Sequence, residues 1–155
     1  MSKPTTLAKL ALILAPLRKK GKRIVFTNGV FDIVHRGHIE YLKKAKSFGD
    51  ILVVGLNSDI SVRRLKGPSR PIQKQADRAA ILLELRSVDY VIFFSDPTPL
   101  SLIERIRPDL LVKGADYKLD QIVGADFLKS YSGQVKRVRI VKGRSSSSII
   151  KKMYT

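Results

Sequence analysis

The chain has two histidines, His35 and His38, which stand three residues apart in a segment that also contains Gly29 and Gly37. If a helix begins near Arg36, this spacing places both imidazoles on nearly the same side of its first turn. That turn also offers unpaired backbone N–H groups and the positive end of the helix dipole. Gly29 and Gly37 permit close approach of the backbone to a ligand. The segment therefore predicts a phosphate-binding site with two imidazole donors.

Two other interpretations of these histidines have to be weighed. With Asp32 they form a sparse set of zinc ligands, but the chain has no cysteine and no third histidine, so the set is thin for a metal site. Histidines near a helix start are also often hydrogen-bonded structural residues. Because both histidines share one strand-to-helix loop with Asp32 and the glycines, we favour a functional role and expect no metal site built by the protein alone.

The elements that must position this loop follow from the pattern of apolar residues. Nearly continuous apolar runs predict strands buried on both faces at residues 23–27, 51–56 and 89–94. Weaker runs predict a fourth strand at 109–112 and a fifth at 135–141. Strands that alternate with helices form βαβ units. We therefore expect a single α/β domain with a mostly parallel sheet of these five strands and helices on both faces.

Around the strands, apolar residues recur at the helical spacing of three or four positions. The predicted buried helix faces are Leu7, Leu10, Ala11, Leu14 and Leu17, then Ile39, Leu42 and Ala45, then Ala79, Leu82, Leu83 and Arg86, then Leu100, Ile103 and Ile106. In parallel sheets, ligands bind beyond the carboxyl ends of the strands. The loops at 28–38, 113–117 and 142–148 therefore form the candidate site, and the serines at 145–148 are typical of a helix cap.

Length and composition indicate one domain over residues 1–155, with a helical extension at 1–21 and a core at 22–155. The absence of cysteine excludes a disulfide framework and fits a reducing compartment. The apolar stretch at 7–17 is followed rather than preceded by basic residues and is too short to span a membrane, so it does not predict a signal peptide. We expect a cytoplasmic protein without a membrane partner.

The net charge of +17 comes from 30 lysines and arginines that are spread along the whole chain. A basic surface attracts nucleic acid, acidic membranes and phosphorylated metabolites. Because the charges are dispersed, they are also compatible with a solvated basic surface that serves solubility. The charge alone does not decide among these partners.

Two segments after the first predicted strand carry a resemblance to a known family. Residues 27–32 (TNGVFD) and 35–38 (HRGH) resemble the signature of the cytidylyltransferase-like superfamily, whose members carry H-x-G-H after the first strand of a Rossmann-like fold. Further segments are similar, in order, to the adenylyltransferase domain of bifunctional ADP-heptose synthase: 64–67, 70–72, 89–91 and 108–117. The similarity departs at Ala115, where a second glycine is expected, and at 145–148, where serines replace a serine followed by threonines.

The resemblance implies an adenylyltransferase that moves AMP from ATP to D-glycero-β-D-manno-heptose 1-phosphate, giving ADP-heptose and pyrophosphate for lipopolysaccharide core biosynthesis. It implies Mg²⁺ bound with the ATP, a homodimer, and no nucleic-acid or membrane partner. Its typical member carries a sugar-kinase domain ahead of this one. Because only residues 1–22 precede the first predicted strand, we expect that kinase to be a separate polypeptide in the same pathway.

The resemblance and the chemistry together suggest roles for individual residues. The predicted catalytic residues are His35, His38 and Lys66. The histidines donate to the nucleotide phosphates. Lys66 lies in a loop that is expected to be mobile, and it either closes over the triphosphate or is an ordinary surface lysine. The predicted nucleotide-binding residues are Thr27, Asn28, Gly29, Phe31, Asp32, Gly37, Arg78, Lys113, Gly114, Asp116, Ser145, Ser146 and Ser147. The predicted acceptor-binding residues are Asp32, Lys66 and Tyr117.

Several of these roles have alternatives. Asp32 contacts phosphate through Mg²⁺ or caps its loop, and Arg78 contacts the nucleotide or is a solvated helix charge. Asp116 holds the base, the ribose or Mg²⁺. Ser146 and Ser147 cap the last helix, either with hydroxyl and N–H groups turned toward phosphates or as a cap alone.

Two other functions remain open in the sequence. A cytidylyltransferase acting on glycerol 3-phosphate or a similar polyol phosphate has a similar length and the same first motif, but this chain lacks the Arg-Thr-x-Gly-Ile-Ser-Thr ending of that family. A basic nucleic-acid-binding protein would explain the net charge. However, no DNA-reading motif is present, and the glycine–histidine loop would have no purpose.

Overall fold

The computed structural model describes residues 4–141, 143 and 145–155. Lys142 and Arg144 of the loop predicted after the fifth strand lie outside the described residues, as do residues 1–3. The α-helices are α1 (Leu7–Lys19), α2 (Arg36–Lys46), α3 (Asp59–Lys66), α4 (Gln75–Leu83), α5 (Leu100–Ile106), α6 (Ala125–Lys129) and α7 (Ser146–Met153). The strands are β1 (Ile24–Gly29), β2 (Ile51–Asn57), β3 (Tyr90–Phe94), β4 (Leu110–Gly114) and β5 (Gln134–Val138), and a short 3₁₀ helix spans Leu119–Gln121.

The strands form one five-stranded sheet in the order β3-β2-β1-β4-β5, and neighbouring strands pair in parallel throughout. Each of the strands predicted from the apolar runs overlaps an observed strand, so the predicted Rossmann-like α/β domain is confirmed. Because β1 is central, the loop after β1 lies between the loop after β2 on one side and the loop after β4 on the other.

Two apolar cores cover the two faces of the sheet. Successive residues of a strand point to opposite faces, so Ile24 and Phe26 belong to one core and Val25 to the other. The first core includes residues of α1, α5 and α6, and the second includes residues of α2 and α4. Both faces are therefore filled, and a ligand has to bind at an edge where the loops emerge.

Aspartates occupy the edge of the sheet at which the strands begin. Asp109 accepts a hydrogen bond from the Ile24 N–H at 2.7 Å, and Asp89 accepts one from the Leu52 N–H at 2.7 Å. Each of these carboxylates ties the turn before one strand to the start of a neighbouring strand. The opposite edge, where the strands end, is therefore the one at which we expect a ligand to bind.

The segment between β2 and β3 differs from the prediction. Residues 59–66 form α3 instead of a mobile loop, and Lys66 is the last residue of that helix. Ser58 caps α3 by accepting a hydrogen bond from the Ser61 N–H at 3.3 Å. The helix was missed because its apolar residues, at 60, 62 and 65, do not keep a helical spacing.

Some residues assigned to buried helix faces are exposed. Ile39 and Leu100 keep 44% and 37% of their surface, Ala11 is exposed, and Arg86 lies beyond the end of α4. Ile39 and Leu100 lie in the first turn of a helix that follows a strand, at the rim of the sheet where the core ends. Periodicity alone does not detect that limit.

The N-terminal helix α1 is packed into the first core. Leu10 and Leu14 have exposed fractions of 0% and 1%, and the Arg18 guanidinium donates to the carbonyls of Ile106 and Arg107 at the end of α5. Within the described residues, no helix combines the length and the apolar character that crossing a membrane requires.

We predict that Leu10→Ala lowers the free energy of unfolding by about 2–5 kcal/mol, because it leaves a cavity in the first core. Leu12→Ala is the matched control, since Leu12 lies in the same helix and is 76% exposed, and it should change stability by less than about 0.5 kcal/mol. Urea unfolding followed by circular dichroism measures both. Equal stability of the two variants would mean that α1 does not contribute to the folded core.

Candidate functional site

The loop between β1 and α2 carries the two histidines on one side of a helix start. His35 is the N-cap of α2, and its Nδ1 accepts a hydrogen bond from the Gly37 N–H at 3.1 Å. The His35 and His38 rings are stacked, with centroids 3.9 Å apart and planes inclined by 23°. The helix begins at Arg36. Both imidazoles line the same cavity.

Phe31 supports the second histidine from the side. Its ring meets the His38 ring edge-on, with centroids 5.1 Å apart, and its backbone adopts a positive φ of 47°. This region is rare for a bulky residue and has to be held by the surrounding structure. A Cβ atom at Gly29 would stand 2.9 Å from the Phe31 ring. Glycine at 29 is thus required by packing as well as by any approach of a ligand.

His38 is neutral in the folded chain near pH 7. Its burial, and then the neighbouring His35, lower the pKa of His38 to about 4, against a smaller opposing effect of a hydrogen bond with the Ile33 carbonyl. Its Nδ1 is buried and has no hydrogen-bond partner among the described residues, and the same is true of Asn28 Oδ1. Buried polar atoms normally have a partner. These two atoms are therefore suited to contact a ligand.

The carboxyl end of β4 contributes a lysine and a glycine to the same cavity. Burial lowers the pKa of Lys113 to about 8, although the nearby Asp116 carboxylate opposes the change. The Lys113 ammonium lies 5.4 Å from the centre of the Tyr117 ring. A Cβ atom at Gly114 would stand 2.3 Å from Asp116 Oδ1 and 2.6 Å from the side chain of Ile140. Only glycine fits at 114 without displacing these side chains.

The serine run starts α7, but its members have different contacts from those predicted. Ser145 is the N-cap, and it forms a capping box with Ser148. Ser146 is already inside the helix, and its hydroxyl donates to the Ile33 carbonyl at 2.9 Å. The prediction that Ser146 and Ser147 cap the helix is wrong by one residue. The contact of Ser146 with Ile33 ties the start of α7 to the histidine loop.

Asp32 is occupied by contacts within the protein. It is 1% exposed, and it accepts hydrogen bonds from Arg70 Nε at 2.6 Å, Ile72 N–H at 2.9 Å and Gln73 N–H at 3.0 Å. Burial works to raise the pKa of Asp32, but the hydrogen bonds from Gln73, Ile72 and Arg70 outweigh it and hold the pKa below its ordinary value. Of the roles open in the sequence, these contacts correspond to capping the loop.

Two predicted site residues do not line the cavity. Arg78 is fully buried and donates to the Gln73 carbonyl at 3.0 Å, the Val30 carbonyl at 2.7 Å and Asp59 Oδ1 at 2.8 Å. It is not a solvated helix charge. Thr27 is also buried, and its hydroxyl donates to the Val112 carbonyl at 2.9 Å. Both residues lie behind the cavity wall and position it.

The remaining predicted residues meet around one cavity of about 580 Å³. Those that line it are Asn28, Gly29, Phe31, Asp32, His35, Gly37, His38, Lys66, Lys113, Gly114, Asp116, Tyr117, Ser145, Ser146 and Ser147. The lining residues that sequence reasoning missed are Val30, Tyr41, Asn57, Leu65, Arg70, Phe94, Pro97, Pro99 and Ile140. Val30 lies in the predicted loop at 28–38, and Leu65 and Arg70 lie in the segments at 64–67 and 70–72 that carry the resemblance. The positions of the others depend on the folding of distant segments onto the cavity. Among the described residues, no group of three or more histidine or carboxylate side chains could hold a metal ion.

Comparisons with known proteins give a consistent result. The model of the cytidylyltransferase-like family matches residues 26–152. Bifunctional protein HldE of Geobacter sulfurreducens is 54% identical over 152 residues, which are 98% of this chain and 31% of that protein. Bifunctional protein HldE of Campylobacter curvus is 57% identical over 132 residues, which are 85% of this chain and 27% of that protein. The chain thus spans less than one third of the length of these curated relatives.

One solved structure extends the comparison to three dimensions. The crystal structure of the lipopolysaccharide core biosynthesis protein from Thermoplasma volcanium is 35% identical, with a TM-score of 0.63, and the match covers 80% of this chain and all of that chain. The fold and the family to which the sequence motifs pointed are thereby confirmed.

We predict that the stability of the protein falls as the pH is lowered between about 6.5 and about 4, the ordinary and folded-state pKa values of His38. In this range unfolding takes up a proton, because the His38 ring is neutral in the folded protein and protonated in the unfolded chain. The contribution of His38 to stability is therefore complete above pH 6.5 and is lost as the pH falls through about 4. We expect a loss of about 2 kcal/mol, less than the full pKa shift would give because the ring is only half-buried.

Urea unfolding at a series of pH values, for the wild type and His38→Gln, measures this effect. The free energy of unfolding of the variant should depend less on pH between about 4 and about 6.5. Outside this range, where other groups titrate, the two proteins should show the same dependence. A variant whose stability falls as steeply as that of the wild type would contradict the assignment of the neutral imidazole to His38.

Proposed function

Because the chain belongs to the cytidylyltransferase-like family of nucleotidyltransferases, we propose that it transfers AMP from ATP to D-glycero-β-D-manno-heptose 1-phosphate, giving ADP-heptose and pyrophosphate for lipopolysaccharide core biosynthesis. The observation that carries the proposal is the convergence of two stacked imidazoles, the helix start at Arg36 and the half-buried Lys113 on one cavity. The segments at 64–67, 70–72 and 108–117, which resemble the adenylyltransferase domain of ADP-heptose synthase, favour this acceptor and this nucleotide.

In the proposed reaction, a phosphate oxygen of the sugar 1-phosphate attacks the α-phosphorus of ATP. The bond from that phosphorus to the oxygen bridging to the β-phosphate breaks, and pyrophosphate leaves with the electron pair. No protein nucleophile takes part. The protein contributes positioning and stabilisation of negative charge on the reacting phosphates.

The proposed nucleotide contacts use polar and charged groups that line the cavity. The backbone N–H groups at the starts of α2 and α7 are suited to hold phosphate oxygens. The negative charge of a bound triphosphate raises the pKa of His38. Once protonated, the ring can donate from Nδ1 to a phosphate while it keeps its hydrogen bond with the Ile33 carbonyl. Lys66, at the end of α3, and Lys113, at the end of β4, supply positive charge from the two sides of the histidine loop.

Mg²⁺ would arrive bound to the ATP and would neutralise part of the phosphate charge. Asp116 lines the cavity and is the carboxylate we assign to that ion, because the oxygens of Asp32 already accept from Arg70, Ile72 and Gln73. We further propose that residues 1–155 act as one cytoplasmic nucleotidyltransferase unit that assembles as a homodimer. A sugar kinase would supply its acceptor.

The experiment that tests the function is a pyrophosphate-release assay of ATP, CTP, GTP and UTP against a panel of sugar and polyol phosphates. We expect release with ATP and the heptose 1-phosphate. Release with CTP and glycerol 3-phosphate would replace the proposal by a cytidylyltransferase. Tight, salt-resistant DNA binding without any release of pyrophosphate would replace it by a nucleic-acid-binding function.

We predict that His38→Ala lowers turnover by at least about a hundredfold, because it removes a donor aimed at the reacting phosphates. Glu40→Ala is the matched control: Glu40 lies two residues away in the same helix, is exposed and does not line the cavity. Circular dichroism has to show that both variants are folded. Near-normal turnover of the His38 variant would remove the central assignment of the site.

We also predict that kcat/KM for ATP falls as the pH rises through about 8, the pKa of Lys113 in the free protein. Below this pH the ammonium is charged and attracts the triphosphate, whereas above it the charge is lost. Lys113→Met should lower kcat/KM by about tenfold at pH 7, with no further fall near pH 8. Lys118→Met, which alters an exposed lysine outside the cavity, should keep the wild-type profile. An unchanged profile in Lys113→Met would assign the titration to another group.

A further inference from the structure

The order of the strands divides the cavity into two parts. Residues that follow β4 and β5, among them Lys113 and Ser146, line the part on one side of the histidine loop. Residues that follow β2 and β3, among them Lys66, Arg70 and Pro97, line the other part. The reaction requires two phosphorylated substrates to meet at one phosphorus atom. Each part of the cavity therefore has to hold one of them.

The β4–β5 part has the features of the nucleotide side. It contains the start of α7, whose first N–H groups face no helical partner, and the cation Lys113. In the β2–β3 part, the helix start at the cavity is that of the short helix α5, at Pro99. The charges that this part places on the cavity among the described residues are those of Lys66 and Arg70. A group with a single phosphate is better matched to such side-chain cations than a triphosphate is.

Arg70 is held so that part of its guanidinium remains available. Its Nε donates to Asp32 Oδ2 at 2.6 Å, and its side chain is 12% exposed. Neither Nη nitrogen has a protein partner within the described part of the chain, although the residue lines the cavity. Arg78, by contrast, uses all of its nitrogens in contacts with the protein. The pair of Nη groups forms a planar edge that fits two oxygens of one phosphate.

The contact of Arg70 with Asp32 also fixes where that edge lies. Asp32 is three residues before His35 in the same loop, and its backbone-bonded carboxylate is almost completely buried. A cation attached to this carboxylate is thereby held beside the loop that carries the imidazoles. A phosphate bound by it would lie next to the site proposed for the triphosphate.

We propose that Arg70 binds the phosphate of the acceptor substrate and that Asp32 holds Arg70 in place for this task. The inference rests on the proposed nucleotidyl transfer but not on the identity of the sugar. It assigns to Asp32 a positioning role instead of direct contact with substrate or metal. It also distinguishes the two cations of this part: Lys66 is an exposed charge at the end of α3, whereas Arg70 is held by its contact with Asp32.

The test compares steady-state kinetics of the wild type, Arg70→Gln, Arg70→Lys and the control Arg63→Gln, with ATP and the acceptor found most active in the pyrophosphate assay. Arg63 lies in α3, is exposed and does not line the cavity. In Arg70→Gln we expect KM for the acceptor to rise about ten- to a hundredfold, while KM for ATP changes by less than about threefold. Arg70→Lys should show a smaller rise, because lysine keeps the charge but not the planar edge.

Binding of ATP to each variant, measured by calorimetry, checks that the nucleotide side and the fold are intact. Equal rises in KM for ATP and acceptor, or no rise for the acceptor, would overturn the role of Arg70 while leaving the proposed reaction standing. A wild type that releases no pyrophosphate with any acceptor would instead overturn the reaction, and the inference with it. If Arg70→Gln does not fold, Arg70→Lys decides by the same comparison.

Discussion

The site depends on one constraint: the loop between β1 and α2 has no regular structure of its own, yet it must hold the His35 ring stacked on the ring of His38 in α2. It meets this constraint with hydrogen bonds from remote parts of the chain. Arg78 of α4 donates to the Val30 carbonyl, and Ser146 of α7 donates to the Ile33 carbonyl. The Asp32 side chain accepts backbone N–H groups from the segment before α4. Three separate segments thus fix a short stretch of backbone.

These contacts connect the stability of the loop with its chemistry. Arg78 carries a buried charge, and removing one partner of a buried pair such as Arg78–Asp59 leaves the other without compensation. The same arginine joins α3, through Asp59, to the loop that carries the histidines. Because Lys66 stands at the end of α3, the cation and the imidazoles are held in a common frame although they are far apart in sequence.

The sequence predicted the strands and the histidine loop better than it predicted the residues that line the cavity. Strands buried on both faces produce continuous apolar runs, and the spacing of His35 and His38 indicates a helix start, so both features can be read locally. Arg70 and Ile140 could not be placed in this way, because they reach the cavity only after α3 and β5 have packed beside the histidine loop. Arg78 shows the reverse case. Its position in a helix was predictable, but its burial depends on Asp59 and Val30, which lie far away in the chain.

The electrostatics of the cavity limit the repulsion among its own basic side chains in the free protein. Fully charged lysine and histidine side chains, crowded together and partly out of water, would destabilise the folded chain. Here burial lowers the pKa of His38 to about 4 and that of Lys113 to about 8, while Arg70 is partly neutralised by Asp32. An entering anion raises the pKa of His38, so positive charge develops on this ring when negative charge is present to meet it. Lys113 already carries its charge below about pH 8. Such a site couples proton uptake to the binding of phosphates, and it does not need the whole net charge of +17 to do so.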